Sequence, residues 1–213
     1  MRKIAIGMIN LFEMLRQMDV AVVEVILHPK AKNYLFEHFQ TLRQIFSDVL
    51  GQVETDYLSI ALINEANQIF FLSSHPSIEQ NLIEHNLWIH DGSFQPAFIY
   101  QDEPRLWADL YHPEHAQELY CYKQADQRLA SGFSMPTDYA GYRVVFSFGF
   151  RSADITIEQQ APIQLKKFMA MGNFCLRKII ESIPMLDKTK FSNSKPHLRL
   201  ITNNKVPYEN TTG

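Results

Sequence analysis

The hydrophobic period of this chain changes along its length, and those changes limit the fold more than any single motif does. Ile4, Met8, Leu11, Leu15, Met18, Val22 and Ile26 recur at steps of three and four, the spacing of one helix face. Pro29 removes a backbone donor and ends that run, so residues 1–30 read as an N-terminal helix. A second helical stripe (Tyr34, Leu35, Phe39, Leu42, Ile45, Phe46, Val49) starts near Ala31 and closes before Gly51. The apolar runs then shorten to strand length. Residues 56–63 and 68–72 flank Asn64-Glu65-Ala66-Asn67 and predict a hairpin. Residues 131–136 and 141–150 repeat that arrangement around a turn at residues 137–141. Between the hairpins, a short helix follows Pro76 over residues 77–86. A proline-punctuated stretch covers residues 92–113, and a further helix lies around residues 114–125. Helical spacing returns over residues 157–183, with Leu165, Phe168, Gly172, Leu176, Ile179 and Ile183 inward and Gly172 allowing close approach to the sheet. Strand pairs kept apart from long helices imply an α+β fold: an antiparallel sheet with helices on both faces, a GAF/PAS-like α-β-α sandwich.

Bulk properties narrow the class. A chain of 213 residues buries about 70% of its unfolded surface and needs no covalent staples. Its net charge of −3 offers no broad basic field, which argues against DNA binding by this polypeptide. Cys121 and Cys175 show no metal or redox spacing and fit a reduced, cytoplasmic protein. The first nine residues imitate a signal peptide, but Glu13, Arg16 and Asp19 interrupt it and no small-residue cleavage site follows. No uncharged apolar run approaches the roughly 20 residues needed to span a bilayer. Residues 187–213 are polar, rich in Asn, Thr and Lys and aperiodic, the composition of a disordered tail.

Chemistry-bearing residues are few. Asp91 sits among Trp88, Ile89, Phe94 and Phe98, where a buried carboxylate costs several kcal/mol unless it is hydrogen-bonded. A turn role at Asp91-Gly92-Ser93 and a ligand role both answer that cost. Trp107 reads either as core or as the wall of a pocket. His112, His115 and Cys121 lack the further ligands a metal site needs, and an exposed helix start explains them better. No phosphate loop, nucleophile elbow or dinucleotide glycine motif is present. Nothing in the sequence argues for catalysis, a metal or a cofactor.

Taken in order, Trp88-Ile-His-Asp91-Gly-Ser-Phe, Pro104-Arg-Leu-Trp107, Ser131-Gly132-Phe-Ser-Met-Pro and Gly141 through Phe150 resemble the ligand-binding domain of LuxR-type quorum-sensing transcription regulators. The resemblance covers roughly residues 31–185, so a sensing domain is expected over residues 31–186. It implies that Asp91 holds a ligand amide, Trp107 closes the pocket, Gly132 lets a strand approach the ligand and Ser147 bonds it. Tyr57 and Phe71 would border the same pocket, with Ile78 and Leu82.

Two departures qualify that implication. The family places a tryptophan and a tyrosine where Ile78 and Leu82 stand, and neither of those can donate a hydrogen bond. An ordinary acyl homoserine lactone should therefore bind badly, and a more apolar amide or ketone better. The family also ends in a helix-turn-helix, whereas 27 residues follow Leu186, with Pro196 and Pro207 among them. The expectation is a non-catalytic sensor that acts as a homodimer, or as a heterodimer with a full-length regulator. An interaction module or bacterial effector on the same scaffold, its cavity filled by aromatic side chains, is the alternative.

Overall fold

Alternation along two long strands sets the architecture. In Tyr142–Phe150, here β6, the side chains of Val144, Phe146, Phe148 and Phe150 point to one face of the sheet; Val145, Ser147 and Gly149 point to the other. Register carries the same division into the neighbouring strands. The computed structural model describes residues 24–50, 55–152 and 162–183.

The elements run β1 (Ile26–Leu27), α1 (Ala31–Glu37), α2 (Phe39–Leu50), β2 (Tyr57–Ile63), β3 (Gln68–Ser73) and α3 (Pro76–Glu84). Short pieces follow: 3-10 turns at Leu87–His90 and Gly92–Phe94, α4 (Pro96–Ile99), β4 (Arg105–Leu106), α5 (Trp107–Leu110) and a 3-10 turn at Pro113–His115. Then come α6 (Ala116–Lys123), β5 (Ser131–Tyr139), β6 and α7 (Pro162–Ser182). The sheet has the order β1-β3-β2-β6-β5-β4, with β1 parallel to β3 and every other pair antiparallel. Helices flank both faces, which makes the expected α-β-α sandwich.

Helix α7 lies on the phenylalanine face. Phe168 meets the rings of Phe133, Phe148 and Phe150 at 5.3, 5.0 and 5.7 Å. A Cβ on Gly172 would stand 2.6 Å from Phe146, so the close helix–sheet approach needs glycine there. Of the expected inward stripe, Phe168, Leu176, Ile179 and Ile183 are buried and Leu165 packs at the margin.

Several details differ from the sequence reading. Most of the N-terminal stripe lies outside the described residues, and Ile26, its last member, is in β1 rather than a helix. The single helix expected after Ala31 is two, broken at His38, and Phe39 is left exposed. The turn between β5 and β6 is tighter than residues 137–141. Tyr139 pairs with Tyr142, leaving Ala140 and Gly141 at φ +48° and +85°, the left-handed values a two-residue hairpin loop demands. Pro136 tolerates strand geometry because β4 pairs only with Phe133 and Ser134, so its missing amide faces an unpaired edge. Residues 157–161 lie outside the described residues, and the last long helix is seen from Pro162 onward.

Candidate ligand site

The second sheet face carries small and polar residues. Register places Gly132 and Ser134 of β5 beside Gly149 and Ser147 of β6; Tyr57, Ser59 and Ala61 of β2 continue the row, and Ser73 and Phe71 of β3 complete it. Trp107 lies on this surface. A Cβ at Gly132 would come within 2.4 Å of the indole, and one at Gly149 within 2.9 Å, so the two glycines form the flat floor beneath the ring. The group that approaches Gly132 closely is Trp107.

Hydroxyls tie the indole down. Trp107 Nε1 donates to Ser134 Oγ at 3.1 Å. Ser134 Oγ also lies 2.9 Å from Ser147 Oγ and 3.0 Å from Ser93 Oγ. One donor and two lone pairs satisfy all three contacts, so the serine is complete.

Asp91 is fully buried, and both its oxygens are engaged. Oδ1 accepts from the Ser93 backbone N–H at 2.9 Å, the turn role open to an Asp-Gly-Ser sequence. Oδ2 accepts from Lys123 Nζ at 2.6 Å, an ion pair with side chains 0% and 1% exposed. The ammonium is surrounded by the rings of Trp107, Tyr111 and Phe94 at 4.3, 5.5 and 5.7 Å. Burial pulls Lys123 below its ordinary pKa, and the Asp91 charge works against that. Burial and, next, Asp91 push the Tyr111 phenol well up.

Glu79 is the second buried acid, on α3, with 1% exposure. Tyr57 donates its hydroxyl to Glu79 Oε1, and the Tyr57 ring stands edge-on to Trp107 at 5.6 Å. Burial raises the Glu79 carboxyl above its ordinary value, while the hydroxyls of Tyr57, Ser73 and Ser59 pull the other way. Among the described residues, Glu79 Oε2 is the buried side-chain polar atom without a hydrogen-bond partner.

Asp91, Trp107, Gly132, Ser147 and Tyr57 are therefore gathered into one layer between the sheet and its cover. Phe71 faces the same way and packs on Phe94 at 5.0 Å. Ile78 and Leu82 are buried on α3, but the residue of that helix that bonds to the sheet is their neighbour Glu79. Sequence reading missed Glu79, Lys123, Ser93 and Ser134. Spacing held a signal for two of them. Glu79 shares a helix face with Leu82 and Ile83, and Lys123 lies four residues after buried Leu119, so each charge falls on an apolar stripe.

His112 and His115 sit with His90 at the surface, His90 stacked on His115 at 3.7 Å. Among the described residues, no group of three or more His, Cys, Asp or Glu has the geometry to hold a metal ion. No helix among them is long and apolar enough to cross a membrane. A groove of about 650 Å3 at the hairpin ends is lined by Asn64, Tyr100, Asp102, Asp138 and Arg143, among others, away from the Trp107 layer. Its guanidinium is already engaged by Asp138 at 2.9 Å, Asp102 at 3.3 Å and the carbonyls of Ile99 and Gln101.

No protein-family model matches the chain, and no curated protein does. Among solved structures, SdiA of Escherichia coli is similar with a TM-score of 0.50 and 15% identity, over 70% of this chain and 66% of SdiA. SdiA in complex with octanoyl-rac-glycerol gives 0.52 and 18% identity, over 70% of this chain and 65% of that one. A more distant match, at 0.45 and 13%, is CepR2 of Burkholderia cenocepacia, an N-acylhomoserine lactone dependent LuxR family transcription factor, with 72% and 94% covered. The chain thus spans just under two thirds of the two SdiA chains. The fold is like that of the matched part of SdiA.

Proposed function

We propose that this chain is a non-catalytic small-molecule sensor domain that acts in transcriptional control through a partner, either a second copy or a full-length regulator. One observation carries the reading: a polar layer buried on one sheet face of an autoinducer-binding-like fold. Replacing buried polar groups by well-packed apolar ones is often neutral or stabilising, so stability alone does not explain Glu79 there, with one carboxyl oxygen left without a partner. Recognition of a ligand's polar group does. Sensing then follows from linkage, since a ligand at 100 times its Kd stabilises the bound form by about 2.7 kcal/mol.

Ile78 and Leu82 are apolar and buried, which disfavours a polar lactone head group and favours less polar amides, ketones or acyl esters. The test is a thermal-shift screen of the whole chain with short- and long-chain acyl homoserine lactones, long-chain amides and octanoyl-rac-glycerol. Stabilisation is expected from the less polar compounds and little from the short-chain lactones. Silence across the panel would leave the second reading, a ligand-free interaction module. That reading draws on the full occupancy of Asp91 and on the indole seated over Gly132.

A further inference from the structure

Asp91 is poorly placed to recognise a ligand in this chain. To accept a ligand's N–H, its carboxylate must release Lys123, leaving an ammonium with 1% exposure among three aromatic rings. Breaking a buried pair that way is strongly unfavourable. The buried acid with an open valence is Glu79. Tyr57 holds Oε1, while Oε2 has no hydrogen-bond partner, and the hydroxyls of Ser59 and Ser73 lie close enough to the carboxyl to pull its pKa down against burial. Buried polar groups are nearly always paired, so an orphaned oxygen on an otherwise anchored carboxyl marks a place where a partner belongs.

We infer that Glu79 is the specificity-determining residue of the sensor site, and that its Oε2 takes the hydroxyl of an uncharged, hydroxyl-bearing acyl ligand. This rests on the sensor reading above. A hydroxyl is the group that fits, because it donates to a carboxylate and accepts from a carboxylic acid; Oε2 is satisfied in either protonation state. An amide N–H satisfies only the ionised form and a ketone only the protonated one. Burial favours the protonated form, and a cationic amine would then meet a neutral acid beside Lys123. Glu79 is nearly inaccessible, so the hydroxyl reaches it by displacing α3 side chains from the sheet face. Asp91 and Lys123 keep their pairing throughout and position Trp107.

The experiment is calorimetric titration of the full chain with octanoyl-rac-glycerol and with propyl octanoate, the same ester without its two hydroxyls. Wild type should bind the glycerol ester at least about ten-fold more tightly, the equivalent of one hydrogen bond of about 1.4 kcal/mol. Glu79→Met should bring that ratio close to one, and Glu79→Gln should restore part of it. The paired change Asp91→Leu with Lys123→Met should leave the ratio as in wild type. If Glu79→Met does not fold, Glu79→Gln carries the test, with a several-fold drop expected. Equal binding of the two esters by wild type, or a ratio unmoved in both Glu79 variants, overturns the assignment while the sensor reading stands. So does a ratio that collapses in the Asp91–Lys123 double variant. Binding of neither ester overturns the assignment, and silence across the wider panel takes the sensor reading with it.

Discussion

The two faces of the central sheet are made from the same strands and do opposite things. On the α7 side, Phe133, Phe148 and Phe150 interlock with Phe168, and Phe146 lies against Gly172. On the other, residues one position along are Gly132, Ser134, Ser147 and Gly149, covered by an indole, an ion pair and a second acid. The first face stabilises through area and shape. The second stands or falls with individual hydrogen bonds among buried polar groups, Glu79 Oε2 being the one left open among the described residues.

The largest break in that comparison should come at the ion pair. Lys123→Met leaves Asp91 buried and unpaired, and should cost about 3–5 kcal/mol in urea unfolding. Adding Asp91→Leu should return most of it. A single variant as stable as wild type would mean that the pair does not hold this face together. Glycine substitutions sharpen the contrast at smaller cost. Gly132→Ala drives a methyl into Trp107 and Gly172→Ala drives one into Phe146, each at roughly 1–3 kcal/mol. Only the first should move Trp107 fluorescence, read in a Trp88→Phe background because the chain has 2 tryptophans. An emission shift from Gly172→Ala would mean that the faces are not independent.

The pH response should also belong to one face. The Glu79 carboxyl is raised above 4.5, so the folded chain keeps a proton that the unfolded chain gives up. The stability it contributes is complete below pH 4.5 and is lost as pH rises through the folded value. Wild type should therefore lose stability relative to Glu79→Gln across that window, and parallel profiles would place Glu79 outside the buried layer. The smallest effect is expected at the surface. His115→Ala removes a partly exposed contact to Glu118 and should change stability by no more than about 0.5 kcal/mol, with ligand response unchanged.

Short apolar runs bounded by turn residues, at 56–63, 68–72, 131–136 and 141–150, made both hairpins and the sheet legible, because runs of that length suit strands buried on both faces. Strands β1 and β4 were not legible, since two residues carry no period. In the site, Asp91 and Trp107 stood out as polar and bulky groups in apolar company. Lys123 did not, because a lysine at the end of a short helix normally belongs to solvent, and only tertiary packing closes three rings around it. The serine hub was invisible for a similar reason: Ser93 and Ser134 are 41 residues apart and meet only once the strands are paired.

The shortness of the two outermost strands bears on whether another chain could extend this sheet. An unpaired β edge invites another chain to dock by backbone hydrogen bonding, and long flat edges lead to runaway stacking. Here β1 and β4 give an incoming strand only two residues each. Past β4, the free margin of β5 contains Pro136, which has no amide to offer. Partner recruitment through sheet extension is thereby discouraged at both margins. A protein docking on this domain would meet its helices and loops, where side chains rather than backbone decide who is accepted.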